Sequence, residues 1–371
     1  MICNRISLTD FRNIESANIE LCDSVNIFYG NNAQGKTNLL EAIYFSAVGR
    51  SFRASHEADV IRFGSVFSSI SLDYTDSQRK QNISVRIFKD KRKQIEHNKV
   101  KITKISDVIG SFRAVLFCPE HLSIIKDGPA ERRNFLDMAL SQLYPMYLRS
   151  LQKYNHILKQ RNQLIKSAAD DRKTFDLTID SWSCQLAHEA AIISRYRYLY
   201  TKQAEKYLSL CFCEMTGGKE IPRLVYLTSL KGDGIDYTDV ESTEKKYLEL
   251  LTSSHEREIY AQTTLFGIHK DDLDILLNGR SARNFASQGQ QRAIAVSLKL
   301  AEGEIVKDES GEYPVFLFDD VMSELDDRKK NYLVERIKGK QVIITGCDSN
   351  FSDSLSAKVI YVENGSYREF K

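Results

Sequence analysis

Three features are missing from this sequence of 371 residues, and each absence excludes a class of protein. The seven cysteines are scattered and include no C-x-x-C pair, so we expect free thiols in place of a disulfide framework or a zinc site. No apolar run reaches the ~18 residues that a bilayer span requires. Residues 1–21 alternate apolar and polar side chains, which predicts a strand hairpin and not a signal peptide. The sequence therefore predicts a soluble, cytoplasmic protein without a membrane partner.

A strong excess of one charge is also missing. The 52 basic and 50 acidic residues leave a net charge of only +2, so any surface for nucleic acid must be a local patch. Hydrophobic residues make up 42% of the chain, which is enough for a large core in two or three domains.

The pattern of elements changes twice along the chain. Residues 1–125 are rich in strands, 126–262 carry helical spacing, and 263–371 return to strands and one long helix. Within the middle zone we expect one long helix from about 129 to 158, and further helices over 182–207 and 243–262. The prediction is an α/β head of mixed sheets and flanking helices, divided by a helical arm.

A phosphate-binding loop is the clearest motif. "GNNAQGKT" (30–37) matches G-x-x-x-x-G-K-[ST], with a β-rich segment before it and an amphipathic helix after it. The glycines allow backbone N–H groups to point at phosphate oxygens, Lys36 supplies a positive charge, and the Thr37 hydroxyl is a ligand for Mg²⁺. The predicted ATP-binding residues of this loop are Gly30, Asn31, Asn32, Ala33, Gln34, Gly35, Lys36 and Thr37.

An acidic pair follows a second buried strand. "VFLFDD" (315–320) places two aspartates directly after four apolar residues. We interpret Asp319 as the Mg²⁺ residue and Asp320 as the catalytic group that polarises the attacking water, together with Lys36. Asp326, in contrast, is placed to cap the helix that follows it.

A cluster of glutamines begins the long C-terminal helix. In "ASQGQQRA" (286–293), Ser287 precedes a helix that we expect over 290–304, so the segment lies where unpaired N–H groups favour an anion. From the residues alone, Ser287 is as well explained by helix capping as by ligand binding.

Taken together, these motifs and the "SELD" segment (323–326) resemble the ABC-type ATPase head. In that family the signature segment, usually Ser-Gly-Gly-Gln, faces the P-loop of a second subunit. The resemblance implies that Ser287, Gln288, Gly289 and Gln290 contact ATP held by another copy of the chain, and that "SELD" is the D-loop. It therefore implies a homodimer with two shared sites. Four features depart from that pattern. Gln288 replaces a glycine, Asp320 stands where a glutamate is usual, "GCDSN" (346–350) stands where a switch histidine is usual, and the Q-loop glutamine has no clear counterpart near "FCPEHL" (117–122).

A closer resemblance covers nearly the whole chain. "PEHLSIIKDGPAERRNFLD" (119–137) and "LFDDVMSELDDRKKNYL" (317–333) are similar to segments of the RecF family, which are recombination-mediator ATPases of the SMC-like branch. This resemblance implies a slow, switch-like ATPase in DNA replication and repair. It also implies binding to duplex DNA at gaps and single-strand junctions, and cooperation with RecR and RecO in loading RecA.

A basic segment is the sequence's candidate for DNA contact. Residues 89–104 read "KDKRKQIEHNKVKITK", and on a hairpin tip alternate residues would present the charges on one face. Such a face gives sequence-independent, salt-sensitive binding, although a solvated basic turn explains the residues equally well. The predicted DNA-binding residues are Lys89, Lys91, Arg92, Lys93, Lys99 and Lys101.

Two other functions are open from sequence. A structural or nuclease-associated SMC-like ATPase would carry a longer coiled coil with a C-x-x-C hook. A P-loop metabolic kinase would not need the signature and "SELD" segments, and a transporter ATPase subunit would lack so large an arm.

Arg53 is a further candidate for contact with nucleotide or DNA.

Overall fold

The computed structural model describes residues 1–218, 220–230, 234–346 and 357–369, and these residues form two compact units. The first unit consists of 1–122, 207–221 and 287–371, and the second of 123–206 and 222–286. The domain boundaries predicted from the sequence (1–125, 126–262 and 263–371) remain a prediction.

The first unit is built on a largely parallel sheet. Among the described residues its strand order is β15-β14-β3-β13-β12-β8, with β15 antiparallel to β14. Four neighbouring strands, β3, β13, β12 and β8, are apolar runs that are almost wholly buried, as expected for parallel strands covered on each side. The strands are β3 (Val25–Tyr29), β8 (Ala114–Phe117), β12 (Val315–Asp319), β13 (Val342–Gly346), β14 (Lys358–Glu363) and β15 (Ser366–Glu369).

A second, antiparallel sheet completes this unit, in the order β2-β1-β4-β5-β6-β7. In β4 every second residue is buried, which is the signature of a sheet with one face on the core. The strands are β1 (Ile2–Phe11), β2 (Ile14–Glu20), β4 (Phe67–Thr75), β5 (Lys80–Phe88), β6 (Gln94–His97) and β7 (Val100–Ile102).

Helix α1 (Lys36–Val48) lies between the two sheets of the first unit. It contacts β8, β12 and β13 on one side and β1, β4 and β5 on the other, so eleven of its thirteen residues are buried. The same unit holds α9 (Gln288–Ser310) and α10 (Asp327–Ile337), and α9 packs against β8. The predicted helix over 290–304 is therefore confirmed, with ends two and six residues further out.

The second unit is mainly helical. Its helices are α2 (Ser123–Lys126), α3 (Pro129–Leu143), α4 (Pro145–Ser167), α5 (Arg172–Thr216, whose last ten residues belong to the first unit), α6 (Val240–Thr252), α7 (His255–Ala261) and α8 (Ala282–Phe285). The single long helix predicted from about 129 to 158 is wrong. Tyr144 has extended backbone (φ −125°, ψ 101°) because the ring of Pro145 excludes the helical conformation before it, and α4 begins at that proline.

A small sheet in this unit was not predicted. β9 (Pro222–Leu227) pairs antiparallel with β10 (Asp272–Leu277), which pairs with β11 (Arg280–Ser281). The Pro and Gly residues around β9 indicate a break from sequence, and nothing local shows that the strand finds a partner some fifty residues later.

Buried polar groups in the second unit are matched with one another. The fully buried guanidinium of Arg161 donates to Glu258 (2.7 Å) and to Thr264 Oγ1 (2.9 Å). His269 lies between the Tyr154 hydroxyl (2.7 Å from Nδ1) and the Thr264 carbonyl (3.1 Å from Nε2). Burial lowers the pKa of His269 to about 4, so the neutral ring accepts from Tyr154 and donates to Thr264.

Across the described part of the chain, no helix is both long and apolar enough to cross a membrane. The six cysteines described there are free, in line with the expected thiols, and Cys347 lies outside the described residues.

Candidate nucleotide site

The phosphate-binding loop connects the carboxyl end of β3 to the first turn of α1. Gly30 (φ 152°) and Gly35 (φ 113°) both have backbone angles that favour glycine, and a Cβ at Gly30 would collide with the carbonyl oxygen of Val362. Ala33 also has a positive φ of 63°. The tight turn therefore explains the fixed glycines of the motif and leaves the loop N–H groups and the start of α1 at one end of the sheet.

Lys36 is held inside this loop. Its side chain is buried, and its ammonium donates to the carbonyl oxygens of Gly30 (2.5 Å) and Asn31 (2.9 Å). The loop backbone thus places the positive charge where a phosphate oxygen would replace a carbonyl as its acceptor.

A hydroxyl–carboxylate cluster lies beside the lysine. Asp319 ends β12, and its Oδ1 accepts from Thr37 Oγ1 (2.8 Å) and from Thr345 Oγ1 (2.6 Å) at the end of the neighbouring β13. Burial raises the pKa of Asp319, while the two hydroxyl bonds favour its charged form. Among the described residues no group of three or more His, Cys, Asp or Glu side chains is arranged for a metal. One hydroxyl and one carboxylate nevertheless fit Mg²⁺, which takes its other ligands from water and phosphate.

Asp320 has an unusual backbone. Its φ of 52° and ψ of 20° place it in the left-handed region, and its N–H donates to the Thr345 carbonyl (3.2 Å). Asp and Asn adopt this region more readily than longer side chains, which offers a physical reason for aspartate here where ABC heads usually have glutamate. The side chain is exposed at the end of the strand, next to buried Asp319.

These groups line one cleft of about 420 Å³ within the first unit. Its volume is in the range of small-molecule sites. It brings together residues 32–37 of the loop with Asp319 and Asp320, as the sequence motifs indicate, and its full lining is Asn13, Asn32, Ala33, Gln34, Gly35, Lys36, Thr37, Asn38, Arg53, Asp319, Asp320 and Thr345.

Four of the lining residues were missed or left open in the sequence-based prediction, namely Asn13, Asn38, Arg53 and Thr345. Arg53 reaches the cleft and donates to Asn38 Oδ1 (3.2 Å), so its location favours nucleotide over DNA. Thr345 ends the buried run "QVIIT", a signal that could have identified it. Asn13 lies in the turn between β1 and β2, and its Oδ1 accepts a hydrogen bond from Asn38 Nδ2 (2.8 Å). Only the tertiary fold brings these two side chains together.

The signature segment is a helix cap. Ser287 Oγ accepts from the Gln290 N–H (3.3 Å), and the Gln290 side chain accepts from the Ser287 N–H (2.6 Å), which is a complete capping box. Gln290 Nε2 also donates to Glu220 Oε1 (2.6 Å). Ser287, Gln288, Gly289 and Gln290 are not among the residues that line the cleft described above.

Gly289 lies in open space. A Cβ built there would have only the Lys329 ammonium within reach, at 3.9 Å, and the residue is exposed. Glycine in a helix costs about 0.5–1 kcal/mol relative to alanine. No described contact within the chain therefore explains why this position is glycine.

One minor prediction on a neighbouring segment is confirmed. Asp326 caps α10, because its Oδ1 accepts from the Lys329 N–H (3.0 Å). His121 makes a local contact as well, since its Nδ1 accepts from the Cys118 N–H (3.3 Å). Residues 347–350, most of the "GCDSN" segment, lie outside the described residues.

The basic segment 89–104 does not form one hairpin tip. β6 separates a first turn, 89–93, from a second turn at Asn98 and Lys99, so the charges fall at opposite ends of a strand roughly 10–14 Å long. Lys93 is engaged, since its ammonium pairs with Glu57 and donates to the Gly49 carbonyl (3.1 Å). Lys101 lies opposite Glu96. Lys89, Lys91, Arg92 and Lys99 are exposed.

Comparison with known proteins gives a consistent result. The model of the family described as "RecF/RecN/SMC N terminal domain" matches residues 2–366. A DNA replication and repair protein RecF from Ruminiclostridium cellulolyticum is 41% identical over 359 residues, covering 96% of each chain. The RecF of Bacillus cereus is 37% identical over 370 residues, covering 99% of this chain and 98% of its own.

Solved structures agree in fold. The recombination mediator protein RecF, determined with ATP, is 33% identical with a TM-score of 0.93, covering 100% of this chain and 98% of its own. An Smc head bound to the C-winged helix domain of ScpA has a TM-score of 0.57 at 16% identity, covers 100% of this chain and 97% of its own, and shows the fold alone. The ATPase-head fold predicted from the sequence is confirmed, and the chain belongs to the RecF family.

Proposed function

We propose that this chain is an ATP-binding DNA replication and repair protein that dimerises on ATP and hydrolyses it slowly. One observation carries the proposal most directly. The chain has a phosphate cleft and a signature-like helix start, yet Ser287–Gln290 do not line that cleft. The signature segment of a second copy of the chain is the simplest candidate to face the cleft and complete the ATP site.

Roles within the cleft follow from its chemistry. Lys36, the loop N–H groups and the N-terminus of α1 would bind the phosphates, and Thr37 with Asp319 would hold Mg²⁺, whose charge neutralises the phosphate oxygens. Arg53 lies in the same cleft and adds a second positive charge. Asp320, exposed beside Asp319, would orient water on the γ-phosphate side.

The open space at Gly289 supports the same interpretation of the signature. The chain has room for a Cβ at position 289, and alanine would stabilise the helix more than glycine does. A glycine is nevertheless expected there if a phosphate of the partner's ATP approaches the backbone at this point. The related RecF structure determined with ATP supports ATP as the nucleotide.

The cellular role is taken from the family. Relatives carry the name DNA replication and repair protein, and a solved relative is placed in the RecFOR pathway. On that basis we propose that the chain binds duplex DNA at gaps or single-strand junctions and acts with RecR and RecO to load RecA. The DNA-binding proposal is tested by comparing, in the presence of ATP, the affinities for a gapped duplex and for a plain duplex of the same length. Equal affinities would contradict a preference for gaps.

Light scattering after size exclusion tests the shared site. We expect wild type to form dimers only with ATP, and Ser287→Arg to stay monomeric because the arginine occupies the phosphate position. Ser310→Arg places the same substitution at the other end of α9 and should dimerise normally. Dimers that ignore both ATP and Ser287 would overturn the proposal.

A further inference from the structure

Helix α4 of the second unit has an unusual charge composition. The whole chain carries 50 acidic and 52 basic residues, yet these 23 residues include no aspartate or glutamate. The helix instead carries Arg149, Lys153, His156, Lys159 and Lys166 on its exposed surface.

These side chains share one face. They follow one another at three-, four- and seven-residue intervals, whereas the buried positions of the helix lie on the opposite side. Gln152 and Gln163 fill the exposed face between the cations. From Arg149 to Lys166 the face runs about 25 Å along the helix, at 1.5 Å per residue.

Helix stability does not explain this arrangement. Arg149 and Lys153 are like charges four residues apart, which is unfavourable, and the first turn has no acid to complement the helix dipole. Lys153 pairs with Glu189 (3.3 Å) on α5. Within the described ranges, Arg149, Lys159 and Lys166 have no ion pair. Lys166 lies in the last turn, where a cation complements the helix dipole, but Arg149 lies near the N-terminus, where it does not. Helix stability therefore does not explain the face as a whole, and of its lysines and arginine only Lys153 is ion-paired within the described residues.

The chemistry of the face fits a nucleic acid better than a protein. Lysine is depleted at protein interfaces, which need an apolar centre, and between Arg149 and Lys166 this face presents no large apolar side chain. Lys, Arg, Gln and Asn are the side chains that contact phosphates. Duplex DNA offers one negative charge per ~1.7 Å, or roughly 15 charges along the length of the face.

We infer that the exposed face of α4 binds the phosphate backbone of duplex DNA. This inference rests on the DNA binding in the proposed function, but not on the ATP-dependent dimer. It replaces the basic segment 89–104 as the main contact surface, because that segment divides its charges between two turns.

Fluorescence anisotropy with a labelled duplex, at several salt concentrations and with ATP, tests the surface. The variant is Arg149→Glu, Lys159→Glu and Lys166→Glu. The control is Lys202→Glu, Lys245→Glu and Lys270→Glu, which changes the net charge equally at exposed lysines of the same unit. We expect the α4 variant to bind at least tenfold more weakly. Its log–log salt slope should fall by about 2–3, because each phosphate that is no longer neutralised removes about 0.9 from the slope. The control should keep the wild-type slope.

The outcomes separate the two proposals. A wild type that binds no duplex overturns both this inference and the DNA part of the proposed function. A wild type that binds, with an α4 variant indistinguishable from the control, overturns the inference alone. If wild type binds poly-glutamate as tightly as it binds the duplex, the face of α4 is a general polyanion surface, and this result would also overturn the inference. If the charge reversals unfold the unit, the same three positions changed to Gln should still reduce the slope.

Discussion

The two aspartates at the end of β12 have different environments. Asp319 is buried against two hydroxyls, whereas Asp320 is exposed on a left-handed backbone. Burial suits a residue that holds a metal, and exposure suits one that acts on water. The two adjacent aspartates are therefore not interchangeable.

The role of Asp320 can be tested without disturbing the fold. Asparagine tolerates the left-handed region as well as aspartate, so Asp320→Asn should keep ATP binding and dimerisation. Hydrolysis should fall by about 100-fold or more, because the carboxylate that we propose to polarise the attacking water is lost. Phosphate release and nucleotide affinity, measured on the same preparation, check this. Asp239→Asn, which keeps a good helix cap at the start of α6 in the second unit, is the control. An unchanged hydrolysis rate in Asp320→Asn would mean that another group polarises the attacking water.

At this scale the sequence predicts residues that belong to local motifs. Lys36, Thr37 and Asp319 are identified because loop, helix start and strand end are each continuous in sequence. Asn13 reaches the same cleft only through the tertiary fold, so spacing alone does not find it. Arg53 is a candidate from sequence, but its place in the cleft is seen only in the fold.

Helix α9 contains two glycines in opposite environments. Gly303 packs under β12, where a Cβ would collide with the Phe316 ring, while Gly289 faces open space. The same substitution should therefore have opposite effects at the two ends of one helix.

We expect Gly289→Ala to stabilise the chain by about 0.5–1 kcal/mol, which is a rise in Tm of roughly 1–4 °C. Gly303→Ala should destabilise it by about 1–3 kcal/mol, because the core is overpacked. Thermal unfolding measures both changes. Light scattering should then show that Gly289→Ala, although more stable, needs roughly tenfold more ATP to dimerise, since its methyl group narrows the phosphate approach. Normal dimerisation would remove Gly289 from the site.

Elements are predicted well where their pattern is local and poorly where proline or distant pairing decides. The burial pattern of β4 and the capped start of α9 follow directly from the sequence. Tyr144–Pro145 divides a continuous apolar stripe into α3 and α4, so periodicity alone overestimates the helix. β9 exists only because β10 pairs with it.

At the scale of the whole molecule, a shared site makes a distinctive prediction. A mixture of Lys36→Ala and Ser287→Arg chains should regain hydrolysis, because each mixed dimer has one site with both halves intact. Since a mixed dimer has one intact site of two, the rate per chain should not exceed about half of the wild-type rate.

The matched control for this mixture is Lys36→Ala with Asp319→Ala. Both substitutions damage the same half of the site, so no mixed dimer is complete and no activity should return. Recovery in both mixtures, or in neither, would contradict sites built from two chains.

Stability should depend on pH through His269. The folded chain holds the ring neutral with a pKa of about 4, whereas the unfolded chain takes up the proton near 6.5. Between these values the unfolded state binds more protons at this ring, so the contribution of His269 to the free energy of unfolding is fully present above pH 6.5 and falls by roughly 1 kcal/mol per pH unit below it. Asp271 acts in the opposite direction, because burial raises the pKa of its carboxyl to about 6 in the folded chain. The contribution of His269 is therefore measured as the difference in free energy of unfolding between wild type and His269→Gln, which offers an acceptor and a donor to the same two partners, in urea unfolding followed by fluorescence of Trp182. This difference should fall as the pH is lowered from 6.5 toward 4, and a difference that does not change with pH would contradict the role of His269.

The order in which the ribosome makes this chain has a consequence for β3. Its partners are β13 and β14, so the strand that leads into the P-loop emerges long before its neighbours. At 5–20 residues per second, the roughly 310 residues between Tyr29 and Val342 take about 15–60 s to synthesise. The antiparallel sheet is complete at Ile102 and can form early, but β3 has two unpaired apolar edges for the whole interval. The nascent chain thus carries an aggregation-prone strand until β13 and β14 have left the ribosome.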